Sequence, residues 1–155
     1  MAIVYLSLGS NLGNRRKQLI IALAKIAERA GDILALSGFY ETEPWGFQSI
    51  HSFLNVVAKL ETSLSPHDLL SMTQQIEREL GRKAKTDDSH YEDRLVDIDI
   101  LLYDDLVINA SELIIPHPLM HQRLFVLEPL AEIAPKIKHP VLDLTIAGLL
   151  KNLKK

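Results

Sequence analysis

The chain has 155 residues, 47% of them apolar, and carries 17 Lys and Arg against 20 Asp and Glu, a net charge of −3. A pI near 6.1 disfavours a generic nucleic-acid binder, whose domain usually lies above pI ~9. The absence of cysteine excludes disulfide scaffolds, thiolate catalysis and cysteine-based zinc sites, and fits a reducing compartment. A chain of this size buries one full core without staples, so a single domain over residues 1–155 is expected. The longest stretch without Asp, Glu, Lys or Arg, Pro44 to Ala58, is too short to span a bilayer. No basic segment precedes an apolar one at the N-terminus, so no signal peptide is expected. A cytoplasmic domain with neither a membrane nor a nucleic-acid partner is the expectation.

Alternation over Ile3–Leu8 predicts a strand, with Val4, Leu6 and Leu8 on one face, and Gly9-Ser10-Asn11 is expected to break it. Leu19, Leu23, Ile26 and Ala30 recur at helical spacing over Arg15–Ala30, with Gly31 as the stop. Ile33–Glu43 predicts a second strand ended by Pro44, and 44–52 a loop holding the single tryptophan, Trp45. Phe53–Glu61 predicts a third strand, apolar at Leu54, Val56, Ala58 and Leu60. Ser65-Pro66 opens a helix as N-cap and first residue, and Gly81 closes it. Arg82–Arg94 is polar with both charge signs, an exposed loop. Leu95–Tyr103 predicts a fourth strand with Val96, Ile98, Ile100 and Leu102 on one face. The order β-α-β-β-α-β is the ferredoxin-like α+β arrangement. Beyond it come a short apolar run at Leu113–Ile115 and helices near Arg123–Ile133 and Leu144–Leu150.

The apolar faces should meet the two helices. The opposite faces then carry Ser7, Phe53, Asn55, Asp97 and Asp99, so a binding site is expected on the open side of the sheet. Asp97 and Asp99, at i and i+2 on a strand, project from the same face. Two such carboxylates repel unless one is protonated or a cation lies between them, and hard oxygen donors suit Mg²⁺ completed by phosphates. A solvent-facing polar stripe would give the same pattern. The 82–94 loop offers Arg82, Lys83, Lys85 and Arg94, with His117 and Arg123 further on. There is no G-x-x-x-x-G-K-[ST], so side chains and metal rather than a glycine cradle would hold phosphates. His117 and His121 stand four apart, but no H-E-x-x-H or third ligand accompanies them, and zinc is not expected. Phe53 and Asn55 could sandwich and hydrogen-bond a flat heterocycle.

Several segments, in order, resemble the 6-hydroxymethyl-7,8-dihydropterin pyrophosphokinase family. They are YLSLGSNLGNR at Tyr5–Arg15, FYETEPWG at Phe39–Gly46, FLNVV at Phe53–Val57, LGR at Leu80–Arg82, DRLVDIDILLYDD at Asp93–Asp105 and IPHPLMHQRLFVLEPLAEIAP at Ile115–Pro135. The resemblance implies a ferredoxin-like core and transfer of the β,γ-pyrophosphoryl unit of ATP to the pterin hydroxymethyl oxygen, with release of AMP. It implies that Asp97 and Asp99 ligate two Mg²⁺, and that Arg82 and Arg94 join them in catalysis. Gln74, Glu77, Arg82, Arg94, Ile100, His117 and Arg123 match nucleotide- and phosphate-contacting positions. Thr42, Pro44, Trp45, Phe53, Asn55, Asp97 and Phe125 match pterin-contacting ones. Where the family shows Gly-Pro-Arg before the D-x-D strand, this chain has Tyr91-Glu92-Asp93-Arg94, and Ala84 replaces a second loop arginine. The implied partners are pterin and ATP alone, with the chain a monomer.

Two other readings compete. One is a ferredoxin-like binding module without catalysis; an RNA-recognition version would need a basic sheet face with exposed aromatics, where this chain has two aspartates. The other is a different Mg²⁺-dependent phosphotransferase on the same scaffold. Between Glu77 and Asp99 stand eight acidic and five basic residues, so the whole net charge resides in this segment.

Overall fold

The computed structural model describes residues 1–42, 52–81 and 95–155. Strands β1 (Ala2–Ser10), β2 (Asp32–Leu36), β3 (Tyr40–Thr42), β4 (Phe53–Thr62) and β5 (Asp97–Tyr103) form one sheet. Its order is β2-β4-β1-β5, antiparallel throughout, with β3 also paired to β4. This is the ferredoxin-like arrangement that the alternation predicts. Helices α1 (Arg15–Arg29) and α2 (Pro66–Glu79) cover one face. Asn14 caps α1 by accepting the Lys17 N–H, and Ser65 caps α2 by accepting the Asp68 N–H, each satisfying an orphan donor of a first turn. Val4, Leu6, Leu8, Val56, Ala58, Leu60, Ile98 and Ile100 pack there against Leu19, Leu23, Ile26, Leu69 and Ile76. Each fully buried Leu or Ile contributes about 1.5–3 kcal/mol of transfer free energy.

The opposite face is divided. Strand parity alone predicts an open face, but helices α3 (Leu124–Ile133) and α4 (Ile146–Leu153) cover one end of it. A second core forms there from Tyr5, Val57, Leu101, Leu102, Val126, Leu127, Leu130, Ile146 and Leu149. The other end, at Ser7, Gly9, Asn55, Asp97 and Asp99, is polar. Between β5 and α3 run a small hairpin, β6 (Ile108–Asn109) with β7 (Ile114–Ile115), and a 3₁₀ turn, Met120–Gln122.

Three local departures matter. Gly9-Ser10 does not break the first strand; β1 runs through both and pairs Gly9 with Asn55 and with Asp97. The expected second strand splits, because Ser37 takes over the ladder: its N–H donates to Val57 O and its Oγ accepts the Val57 N–H at 2.9 Å. Its predicted last residue, Glu43, lies outside the described residues. Finally, the β1–β5 register slips between Tyr5 and Leu6, a bulge at Leu101. A bulge inserts one residue and reverses the alternation beyond it. Leu102 therefore joins the second core rather than the face of Ile98 and Ile100, and Tyr103 joins the first.

Candidate functional site

The strand register places the candidate residues in rows across the sheet. Asn55, Gly9 and Asp97 form one row; Val57, Ser7 and Asp99 form the next. Neighbouring strands lie about 4.8 Å apart, so Asn55 and Asp97 stand two strand spacings from each other across Gly9. The glycine is required by space: a Cβ at Gly9 would meet Asn55 Oδ1 at 2.9 Å and the Phe53 ring at 3.5 Å. Asn55 is 3% exposed. Its Nδ2 donates to Thr42 Oγ1 at 3.1 Å and to Tyr40 O at 3.4 Å. The Tyr40 carbonyl can only accept, which fixes the amide orientation and leaves Oδ1 on the Gly9 side as an acceptor. Thr42 pairs with Phe53 in the β3–β4 ladder, so the three residues share one corner. Arg15 braces it: the guanidinium donates to Ser52 O at 3.0 Å and Ser52 Oγ at 2.9 Å, and pairs with Glu41 at 2.8 Å.

Asp97 and Asp99 are half-buried and share the polar face. Glu77, 6% exposed, accepts the Ile98 N–H at 2.7 Å. That bond ties the outer edge of β5 to α2 at the residue between the two aspartates. His117 follows β7 and its N–H donates to Leu101 O. Its Nδ1 accepts the Leu119 N–H at 3.2 Å, which leaves Nε2 to carry the proton, 4.0 Å from Asp99 Oδ2. Burial, with help from the Arg123 charge and against the pull of Asp97, lowers the His117 pKa to about 4. At neutral pH it is an uncharged donor, and at that distance it makes a near contact with Asp99 rather than a hydrogen bond.

A groove of about 250 Å³ opens beside these groups, lined by Leu70, Ile98, Asp99, Ile100 and His117 together with Ser111–Ile114. Its apolar walls and carboxylate end suit a flat base with a charged tail. Ile100 lines this groove. Gln74 is exposed on α2, one turn beyond Leu70. Arg123 precedes α3, its guanidinium carbon 5.5 Å from the centre of the Phe125 ring. His117 and His121 turn to different neighbours: the His121 ring meets His139 edge-on at 6.4 Å. Arg82, Arg94, Pro44 and Trp45 lie outside the described residues. Leu70 on α2 and Ser111, Glu112, Leu113 and Ile114 by the hairpin carry no motif that marks them as groove residues in the sequence.

A carboxylate pair beside a groove, on an open sheet end with a fixed amide acceptor, is an arrangement that could hold a metal with a phosphorylated ligand. Residues 5–135 match the family model for 7,8-dihydro-6-hydroxymethylpterin-pyrophosphokinase, and the chain belongs to that family. A protein of Porphyromonas gingivalis named 2-amino-4-hydroxy-6-hydroxymethyldihydropteridine pyrophosphokinase is 55% identical over 141 residues, spanning 90% of this chain and 95% of its own length. A Bacillus subtilis protein of the same name is 44% identical, spanning 88% of this chain and 80% of its own. The Pneumocystis carinii folic acid synthesis protein fol1 is 43% identical over 97% of this chain, which is only 20% of the longer protein. Among solved structures, wild-type Plasmodium falciparum HPPK-DHPS with SDX-DHP superposes with a TM-score of 0.79 at 18% identity. It covers 97% of this chain, which spans 44% of that one; the likeness is one of fold. The family's activity is pyrophosphoryl transfer from ATP to hydroxymethyldihydropterin in folate biosynthesis.

Proposed function

We propose that the polar end of the sheet is where ATP and the pterin meet, with the base in the groove and the pterin against Asn55. The row Asn55–Gly9–Asp97, set beside Asp99 and the groove, carries this reading. Gly9 lets a flat ring approach the sheet, Asn55 Oδ1 accepts from ring N–H groups, and Phe53 and Phe125 supply aromatic faces. Thr42 holds the amide; Pro44 and Trp45 are assigned to the pterin side by resemblance alone. Gln74, Ile100, His117 and Arg123 face the nucleotide and its phosphates, joined by Arg82 and Arg94. Glu77 serves the nucleotide side by holding β5.

Asp97 and Asp99 fit Mg²⁺ by the chemistry of the donor set. Two hard carboxylates share one face, and among the described residues no group of three or more acids, histidines or cysteines forms a cage. Mg²⁺ is usually held by one or two carboxylates and completed by substrate phosphates and water; two ions are proposed here. When bound, the metal neutralises charge on the phosphates and aligns them. In the transfer the hydroxymethyl oxygen forms a bond to Pβ as the bond from Pβ to the α,β-bridging oxygen breaks, releasing AMP and a proton. His117, neutral, donates a hydrogen bond through Nε2, and Arg123 contributes positive charge. No helix among the described residues is long and apolar enough to cross a membrane; we assign a cytoplasmic monomer with one domain over residues 1–155.

The test is a product assay with ATP, Mg²⁺ and hydroxymethyldihydropterin, with nucleotides resolved. AMP and pterin diphosphate in equal amounts, abolished by chelation, are expected. ADP as the product would mean γ-phosphoryl transfer, and no turnover would leave a binding module.

A further inference from the structure

We infer that Glu132, near the C-terminal end of α3, is a positioning residue for the pterin pocket. This rests on the site proposed above. The Glu132 carboxylate reaches across to the break between β2 and β3, more than ninety residues away in sequence. Oε1 accepts the Tyr40 hydroxyl at 2.7 Å and the Gly38 N–H at 3.1 Å, and Oε2 lies 3.2 Å from the same N–H. Hydrogen bonds to an ionised carboxylate are among the stronger ones. The Tyr40 phenol is pushed up to about 12, chiefly by its bond to Glu132, so it remains a donor at any physiological pH.

What this clamp holds is small, and it works beside the Arg15–Glu41 pair that braces the same strand. β3 has three residues and, among the described residues, pairs only with β4. Yet Tyr40 sits directly opposite Asn55 in that ladder, and the Tyr40 carbonyl and Thr42 hydroxyl are the acceptors that orient the Asn55 amide. A shift of β3 would release Asn55 Nδ2 and let the amide turn, offering the ring a donor where it needs an acceptor. Glu132 is also seven residues beyond Phe125, two turns along the same face of α3. One helix face therefore supplies an aromatic wall of the pocket and fixes the strand that orients its polar reader. Specificity at such a site depends on the supporting contacts holding the reading groups in place.

The test is steady-state kinetics of Glu132→Ala, Glu132→Gln and Tyr40→Phe, each substrate varied with the other saturating, and melting temperatures measured alongside. Glu132→Ala should raise KM for the pterin about tenfold, the equivalent of about 1.4 kcal/mol, while kcat and KM for ATP stay near wild type. Tyr40→Phe should move the same constant less. Glu132→Gln, which still accepts both bonds, should recover most of the loss. Asn55→Ala is run beside them. If Asn55→Ala weakens pterin use and Glu132→Ala does not, the inference fails and the site stands. If neither has an effect, the pterin site is misplaced and the inference falls with it. A joint fall in kcat, both affinities and melting temperature would show a merely structural role and overturn the proposal.

Discussion

Along β1, Tyr5, Ser7 and Gly9 point to the same face of the sheet but meet different surroundings. Tyr5 lies beside Leu102 under α3 and α4, in a closed second core. Ser7 has apolar Val57 on one side and Asp99 on the other; Gly9 lies between Asn55 and Asp97. Within four residues the same strands pass from core to the polar end proposed as the binding site. The two ends are separated by the Leu101 bulge, which turns Leu102 towards the second core, and the side chains on either side of it set where the helix layer can extend. Burying Asp97 and Asp99 under an apolar helix would strand two charges, whereas Val57 and Leu101 need such a cover. The covered end buries a second apolar core; the uncovered end presents polar groups on the same strands.

This contrast can be broken experimentally. The largest effect is expected at the open end. Asp97→Ala or Asp99→Ala should reduce turnover by at least about 10²–10³-fold, the scale of removing one strong electrostatic stabiliser, with an unchanged melting temperature. Early melting would place the carboxylates in the fold rather than the site. At the covered end the reverse holds. Leu127, fully buried in the second core, should cost about 2–5 kcal/mol when changed to Ala, read by denaturant unfolding, while kcat per folded molecule is retained.

The smallest effect is expected on the other face, at the α1–α2 surface. Glu79 is held down to about 2 by hydrogen bonds from Arg29 and Lys25. Its folded pKa lies below its unfolded value of 4.5, so the unfolded chain binds more protons in this window. The pair's stabilisation is present above pH 4.5 and is lost as pH falls towards 2. Glu79→Gln should flatten that acid limb modestly, since exposed pairs contribute little. Unfolding curves across pH 2–5 check the sign.

Much of this was legible in the sequence. Period-two alternation located β1, β4 and β5, and Ser65-Pro66 located the start of α2. Parity put Asn55, Asp97 and Asp99 on one face. What escaped has a physical cause in each case. Gly9 looks like a strand breaker, yet the strand needs it because Asn55 Oδ1 occupies the space of a Cβ. The bulge at Leu101 has no signature in a uniform apolar run, so Leu102 was given the wrong face. The split at Ser37 depends on a side chain replacing backbone partners, and its clamp on a glutamate ninety residues away. Two apolar helices can be read from periodicity, but not which end of a sheet they cover. The groove residues Ser111–Ile114 became visible only once the β6–β7 hairpin folded beside β5.

In the proposed site the carboxylate pair at the open end holds the divalent cation together with the nucleotide. Mn²⁺, a spectroscopic stand-in for Mg²⁺, titrated into protein saturated with a non-hydrolysable ATP analogue and followed by the EPR signal of the free ion, tests it directly. Retention of Mn²⁺ on the wild-type complex beyond that of the analogue alone, lost in both Asp97→Asn and Asp99→Asn, is the predicted result. Equal retention by the wild type and both variants would contradict the account.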